Sequence, residues 1–165
     1  MSLSSAEAPL RTRKTILRMF PYGVYVVTAR HDGHVAAATI DWVTQASIEP
    51  LTMVACLRAD SFIRKLVVES GRFGLHVLGE GQKDLAARFF RFQGADDRQI
   101  NGQAYRLGAA GVPLLEAPPA ALELEVAGTL DRADHSVVLG DVKGVHLARE
   151  APALLLRDTG WHYGA

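Results

Sequence analysis

The chain has 165 residues, 48% of them hydrophobic, and its 18 basic side chains balance its 18 acidic ones. That length suits one domain able to bury a core of its own. Net charge zero, with no Lys/Arg block, excludes charge-driven binding to nucleic acid or to an anionic membrane, since both need a concentrated basic footprint. The apolar run Leu51 to Leu57 is long enough for a buried strand and far too short to span a bilayer. The N-terminus lacks the apolar stretch of a signal peptide. The lone Cys56 excludes an intrachain disulfide and a zinc site built on paired cysteines. A cytoplasmic protein is expected.

Residues 1–14 read as a flexible arm and 15–165 as a single domain. Arg11 to Met19 has helical spacing, with Ile16, Leu17 and Phe20 on one side, and Pro21 and Gly23 stop it. Val24 to Ala29 is dense in β-branched and aromatic residues and reads as a strand. Asp32-Gly33 turns the chain, Val35 to Ile40 returns as the partner strand, and Leu51 to Leu57 is expected as a central strand. Asp60-Ser61 cap a helix whose apolar face is Phe62, Ile63, Leu66 and Val67, and Gly71 ends it. Arg72 to Leu78 resumes strand. Gln82 to Phe92 is expected as a second helix, with Leu85, Ala86, Phe89 and Phe90 together. Residues 93–119 are rich in Gly, Asp, Gln and Pro and read as a long excursion. Leu122, Leu124 and Val126 alternate with Glu123 and Glu125, which predicts a half-exposed strand. Ser136 to Leu147 is one long strand or two, broken near Gly140 or Gly144. Strands dominate and the few helices do not alternate with them, which favours a β-barrel decorated with short helices over a doubly wound sheet.

No hydrolytic, zinc or phosphate-loop motif is present, and no G-x-G-x-x-G follows a strand. No metal site is expected, and the His31/His34 pair falls in a turn. Two segments stand out. Ala38 to Gln45 sets small polar residues beside Trp42 at a strand end. It either offers main-chain donors and acceptors to the polar edge of a flat heterocycle or is a plain strand edge with a packed Trp. Arg58 to Phe62 places an Arg just before a helix start, where free N–H groups suit a phosphate. Asp60 opposes an anion there unless it turns away to cap the helix.

Phe20 to Thr28 resembles the F-P-x-G-V-x-V-V-T opening of the flavin reductase-like family. Ala38 to Pro50, ATIDWVTQASIEP, is similar to that family's A-T-x-x-W-V-T-Q-x-S-x-x-P segment. Arg58 to Phe73 resembles its R-x-x-S…E-S-G-x-F run, Asp134 to Val142 its D-H-x-x-x-x-G-[ED]-V signature, and Arg157 to Gly164 the tail of its W-V-T-Q subgroup. The motifs fall in family order over residues 15–164. The resemblance implies a split β-barrel, mainly β with short helices, that binds FMN (or FAD) as a homodimer with the flavin near the interface. It implies an NAD(P)H:flavin oxidoreductase supplying reduced flavin or electrons to a monooxygenase or another acceptor. By position, Thr39, Ile40, Asp41, Trp42, Thr44 and Gln45 would face the isoalloxazine and ribityl parts. Cys56, Leu57 and Arg58 would line the next strand end, Ser61 and Phe62 would hold the phosphate, and Arg88 and Phe89 would close the site. His135 would orient the nicotinamide or acceptor as the catalytic side chain, with Trp161 and Tyr163 covering the substrate.

The chain departs from the family at three places. Leu51 follows Pro50 where a second proline is common, His76 stands where many members carry Asn, and Asp41 replaces a small or hydroxyl residue. Pointed at the ring, Asp41 would disfavour anionic reduced flavin. The absence of an acid/base dyad fits flavin chemistry, because the cofactor carries the hard step. Two other readings stand beside this one. One is an FMN-binding electron-transfer module that takes electrons from a protein partner rather than from NAD(P)H. The other is a split barrel holding a different cofactor, such as haem or a deazaflavin.

Overall fold

The computed structural model describes Ser4 and residues 8–164; the rest of the expected N-terminal arm lies outside the described residues. The elements in chain order are α1 (Leu10–Leu17), β1 (Tyr25–His31), β2 (His34–Ile40), β3 (Val43–Ser47), β4 (Thr52–Arg58), α2 (Phe62–Ser70) and β5 (Arg72–Val77). Then come α3 (Lys83–Ala87), β6 (Gln99–Ile100), β7 (Gln103–Leu107), β8 (Pro113–Leu115), β9 (Ala120–Asp131), β10 (His135–Leu147) and α4 (Leu156–Thr159). The architecture is mainly β with short helices, as the sequence predicts. No helix among the described residues is long and apolar enough to cross a membrane.

Seven strands form one sheet in the order β2-β1-β5-β9-β10-β4-β3, all neighbours antiparallel. The sheet curls so that β2 approaches β4, while its hydrogen-bonded ladder stays open. β1 is buried on both faces, as period-two alternation allows. Val27 and Ala29 join a core with Leu57, Leu66, Val67, Phe73, Leu75 and Leu124, and Val26 joins another with Leu78, Phe89, Ile100 and Tyr105.

Local signals explain the turns. Asp32 and Gly33 adopt φ of 46° and 78°, the pair of left-handed residues a two-residue hairpin needs, and His31 pairs directly with His34. Ser61 caps α2 by accepting the Arg64 N–H at 3.3 Å. Gly71 ends the helix at φ 68°, its N–H bonding Val67 O at 3.0 Å. β10 is one strand that stays continuous through two register shifts, at Leu139/Gly140 and Val142/Gly144.

Four expectations are corrected. β4 is paired on both sides by β3 and β10 but lies one strand from the sheet edge rather than at its centre. The second helix is only Lys83–Ala87. It stops because the Phe89 carbonyl is taken by Thr39 N–H, and the Asn101 amide takes the Arg88 and Arg91 carbonyls at 2.7 and 2.8 Å. Residues 93–119 are no structureless excursion, since they hold the three-stranded sheet β6-β7-β8. Glu123 is not on an exposed face; it is 2% exposed. Its carboxylate accepts the N–H groups of Ala109 and Ala110 at 3.2 and 2.8 Å and meets His146 Nε2 at 2.7 Å. Burial pushes this carboxyl up, yet Ala110, His146 and Ala109 together hold it below the ordinary glutamate value.

His76 is fully buried. The Leu115 N–H donates to its Nε2 at 2.9 Å, so Nδ1 carries the proton and donates to Val26 O at 3.0 Å. The neutral ring thus ties β5 to β1 and β8. Burial, helped by the charge of His146 and opposed by Val26 O, pushes its pKa down to about 4. A histidine lowered in the fold favours the native state above its unfolded pKa and loses that contribution as pH falls, because the unfolded chain takes the proton first. Acidification from about 6.5 to 4 should therefore remove about 3 kcal/mol through His76 alone. Thermal melts across that window should show a smaller acid loss in His76→Asn than in the wild type, and parallel curves would contradict this account.

Candidate functional site

β2 ends at Ile40, and Asp41-Trp42 turns the corner into β3, with Trp42 O accepting the Cys56 N–H at 2.9 Å. That corner, the end of β4, the start of α2, the chain after α3 and the C-terminal tail enclose a cavity of about 650 Å³. The volume falls within the range of small-molecule and cofactor pockets. Ile40, Leu57, Phe89 and Phe90 provide apolar wall, while Asp41, Arg58, Ser61 and His135 bring polar groups.

The joint that carries the wall is Thr39. Its hydroxyl donates to Ala86 O at 2.6 Å and its N–H to Phe89 O at 3.2 Å, clamping the chain after α3 onto β2. Ser61 is equally committed, donating to Arg58 O at 2.7 Å while capping α2. Asp60 does not cap. It grips Arg58 with two hydrogen bonds, Nε–Oδ1 at 3.1 Å and Nη2–Oδ2 at 2.8 Å, and both side chains are exposed.

His135 opens β10 opposite Arg58. Its ring packs on Trp42 with centroids 4.7 Å apart, and its Nε2 lies 2.8 Å from the Tyr163 hydroxyl. Asp134 Oδ2 is 3.3 Å from Nδ1 but outside hydrogen-bonding geometry, so Nδ1 is buried without a partner. Tyr163 also packs on Trp42 at 5.6 Å, and Trp161 meets Phe90 edge-on at 4.7 Å with Lys83 Nζ 5.3 Å from its ring. The tail thus lies over the cavity.

Asp41 is the unusual member. It is 7% exposed, and its Oδ2 is buried without a hydrogen-bond partner. Burial pushes its carboxyl up to about 6, against the lowering effect of its own and Trp42's backbone N–H groups and of His135. Burial, and secondarily the charge of Asp41, raises the Cys56 thiol.

Of the residues singled out in the sequence, Thr39, Ile40, Asp41, Cys56, Leu57, Arg58, Ser61, Phe89, His135, Trp161 and Tyr163 line the cavity. Five do not. Trp42 stands behind His135 and Tyr163. Thr44 and Gln45 lie exposed on β3, and Gln45 Nε2 turns back to Ser47 O. Phe62 packs outward on His34 and Phe92. Arg88 caps α3 at its C-terminal end, with its carbonyl held by Asn101. Phe90, Leu156 and His162 line the wall unforeseen. Phe90 carried a signal, its place beside Phe89, whereas Leu156 and His162 reach the site only through the tail's path.

The flavin reductase like domain matches residues 17–164. The chain is 31% identical over 160 residues to the reductase subunit HsaB of a flavin-dependent monooxygenase from Mycobacterium tuberculosis, covering 97% of this chain and 82% of that one. It is 33% identical over 144 residues to a flavin reductase (NADH) from Kitasatospora aureofaciens, covering 86% and 74%. The flavin reductase of the styrene monooxygenase from Pseudomonas putida S12 superposes with a TM-score of 0.75 at 28% identity, over 91% of this chain and 94% of that one. With the motifs in order, the strand-rich fold and a cofactor-sized cavity in place, the chain belongs to the flavin reductase-like family.

Proposed function

We propose that this protein is an NAD(P)H-dependent flavin oxidoreductase that supplies reduced flavin to an acceptor such as a monooxygenase. The observation that carries the reading is the cavity. It pairs apolar walls for a flat ring with a buried acceptor lacking any partner, Asp41 Oδ2, and with an arginine and a helix start for a phosphate. A flavin offers these complementary groups. When bound it supplies the redox chemistry, taking a hydride from the nicotinamide.

The chain's own residues then have distinct tasks. Ile40, Leu57, Phe89 and Phe90 exclude water from the ring. The first-turn N–H groups of α2 point out of the helix end and attract a phosphate. Arg58 joins them by giving up Asp60; that pair is exposed, so its loss costs little and water screens the repulsion between Asp60 and the anion. Thr39 and Ser61 hold the wall in shape rather than meeting the ligand through their hydroxyls. His135, held by Tyr163 and Trp42, orients the nicotinamide. Trp161 and Tyr163 shield it.

FMN is the flavin we favour. A homodimer is part of the same reading, since α1 buries none of its residues and Leu10, Ile16 and Leu17 remain exposed, as do Val145 and Leu147 on β10. A second copy would cover such surface. The lone cysteine suits a cytoplasmic setting. Saturable oxidation of NADH or NADPH that depends on added FMN tests the reading.

A further inference from the structure

Asp41 sits on the cavity wall as a carboxylate 7% exposed, with one oxygen that no donor satisfies. Burying a carboxylate with one oxygen unpaired destabilises the fold, and the backbone N–H groups of Asp41 and Trp42 together with His135 offset only part of that cost. Its placement is therefore meaningful for what enters the cavity. The titratable groups facing it are His135 on β10, Cys56 on β4 and Tyr163 on the tail. Burial raises both the Cys56 thiol and the Tyr163 hydroxyl, with Asp41 adding to each. Neither therefore brings a positive charge, and among these groups only a protonated His135 would neutralise Asp41.

Resting on the cavity being the flavin site, we infer that Asp41 makes the site bind reduced flavin more weakly than oxidised flavin. The electron count sets the sign. In hydride transfer the C4–H bond of the reduced nicotinamide breaks, and its proton and two electrons move together to form an N–H bond at flavin N5. NAD(P)⁺ is left. The ring was neutral and now carries one negative charge. The 5′-phosphate is charged before and after, so its interaction with Asp41 is common to both states. Only the new ring charge is opposed by the carboxylate in one state and not the other. The low exposure of Asp41 keeps that repulsion from being screened by water and salt.

The test is a pair of anaerobic titrations at pH 8, where Asp41 is ionised, with oxidised FMN and with chemically reduced FMN as the probes. Wild type, Asp41→Asn and Asp41→Ser are compared. Each protein is scored on the ratio of its two dissociation constants, so a general loss of affinity or a shift in packing cancels. Reduced FMN should bind the wild type more weakly than oxidised FMN, and both variants should lower that ratio at least about tenfold. By the thermodynamic cycle, the potential of bound flavin should rise by about 30 mV for each tenfold. An unchanged ratio in both variants overturns the inference and leaves the flavin reading standing. A wild type that binds neither form overturns the flavin reading, and the inference with it.

Discussion

Replacing His135 with alanine should lower kcat/KM for the nicotinamide by about tenfold to a hundredfold, because orientation of a reacting group commonly contributes that much. The ring is firmly held. Trp42 packs on one side at 4.7 Å, the Tyr163 hydroxyl lies 2.8 Å from Nε2, and β10 fixes the backbone opposite Arg58. A histidine gripped in this way at a cavity wall is a poor candidate for a solvated hairpin residue. Tyr163→Phe removes only the hydroxyl contact, and a net hydrogen bond of about 1 kcal/mol corresponds to roughly a fivefold loss. Steady-state oxidation of NADH and NADPH with FMN present measures both variants. Unchanged kinetics in His135→Ala would show that the imidazole does not orient the substrate.

Gly140→Val should unfold the protein or leave it with little stability. A Cβ at this position would stand 2.7 Å from Phe73 Cζ and 3.0 Å from Leu124 Cβ. Phe73 is fully buried and cannot swing aside as a surface side chain would. Overpacking of this kind costs about 1–3 kcal/mol for a single methyl group, and valine adds two more carbons. That is a large share of the roughly 5–15 kcal/mol that holds a domain together. Gly140 also lies at a register shift of β10, where the strand must bend past β9. Thermal melts of Gly140→Ala and Gly140→Val should fall in that order below the wild type. A wild-type melting temperature for the valine variant would contradict the packing described here.

The sequence is most legible where a local rule decides the structure. Asp32-Gly33, Ser61 and Gly71 each act through their own backbone geometry, and each does what its residue type predicts. The family motifs extend that legibility to the site. Asp41, Cys56, Arg58, Ser61 and His135 are distant in sequence, yet all reach one cavity. Failures occur where distant partners override a local pattern. Glu123 alternates as an exposed residue should, but the N–H groups of Ala109 and Ala110 and the imidazole of His146 satisfy it inside. The helical pattern of 82–92 gives way to the Asn101 amide and to the backbone of β2. Asn101-Gly102 is itself a hairpin signal, with φ of 50° and 73°, but its neighbours are too polar to read as strands. Thr44 and Gln45 illustrate a subtler limit. The corner at Asp41-Trp42 sends β3 away from the cavity, and no property of those two side chains signals it.

The measurement that bears most directly on the account is the oxidation of NADH and NADPH by the purified protein with FMN added, read against an enzyme-free control. Saturable turnover that depends on the added flavin, with one nicotinamide preferred, is the expected result. Protein shown to bind FMN that turns over neither NADH nor NADPH would contradict it, and would point to an electron-transfer module fed by a protein partner.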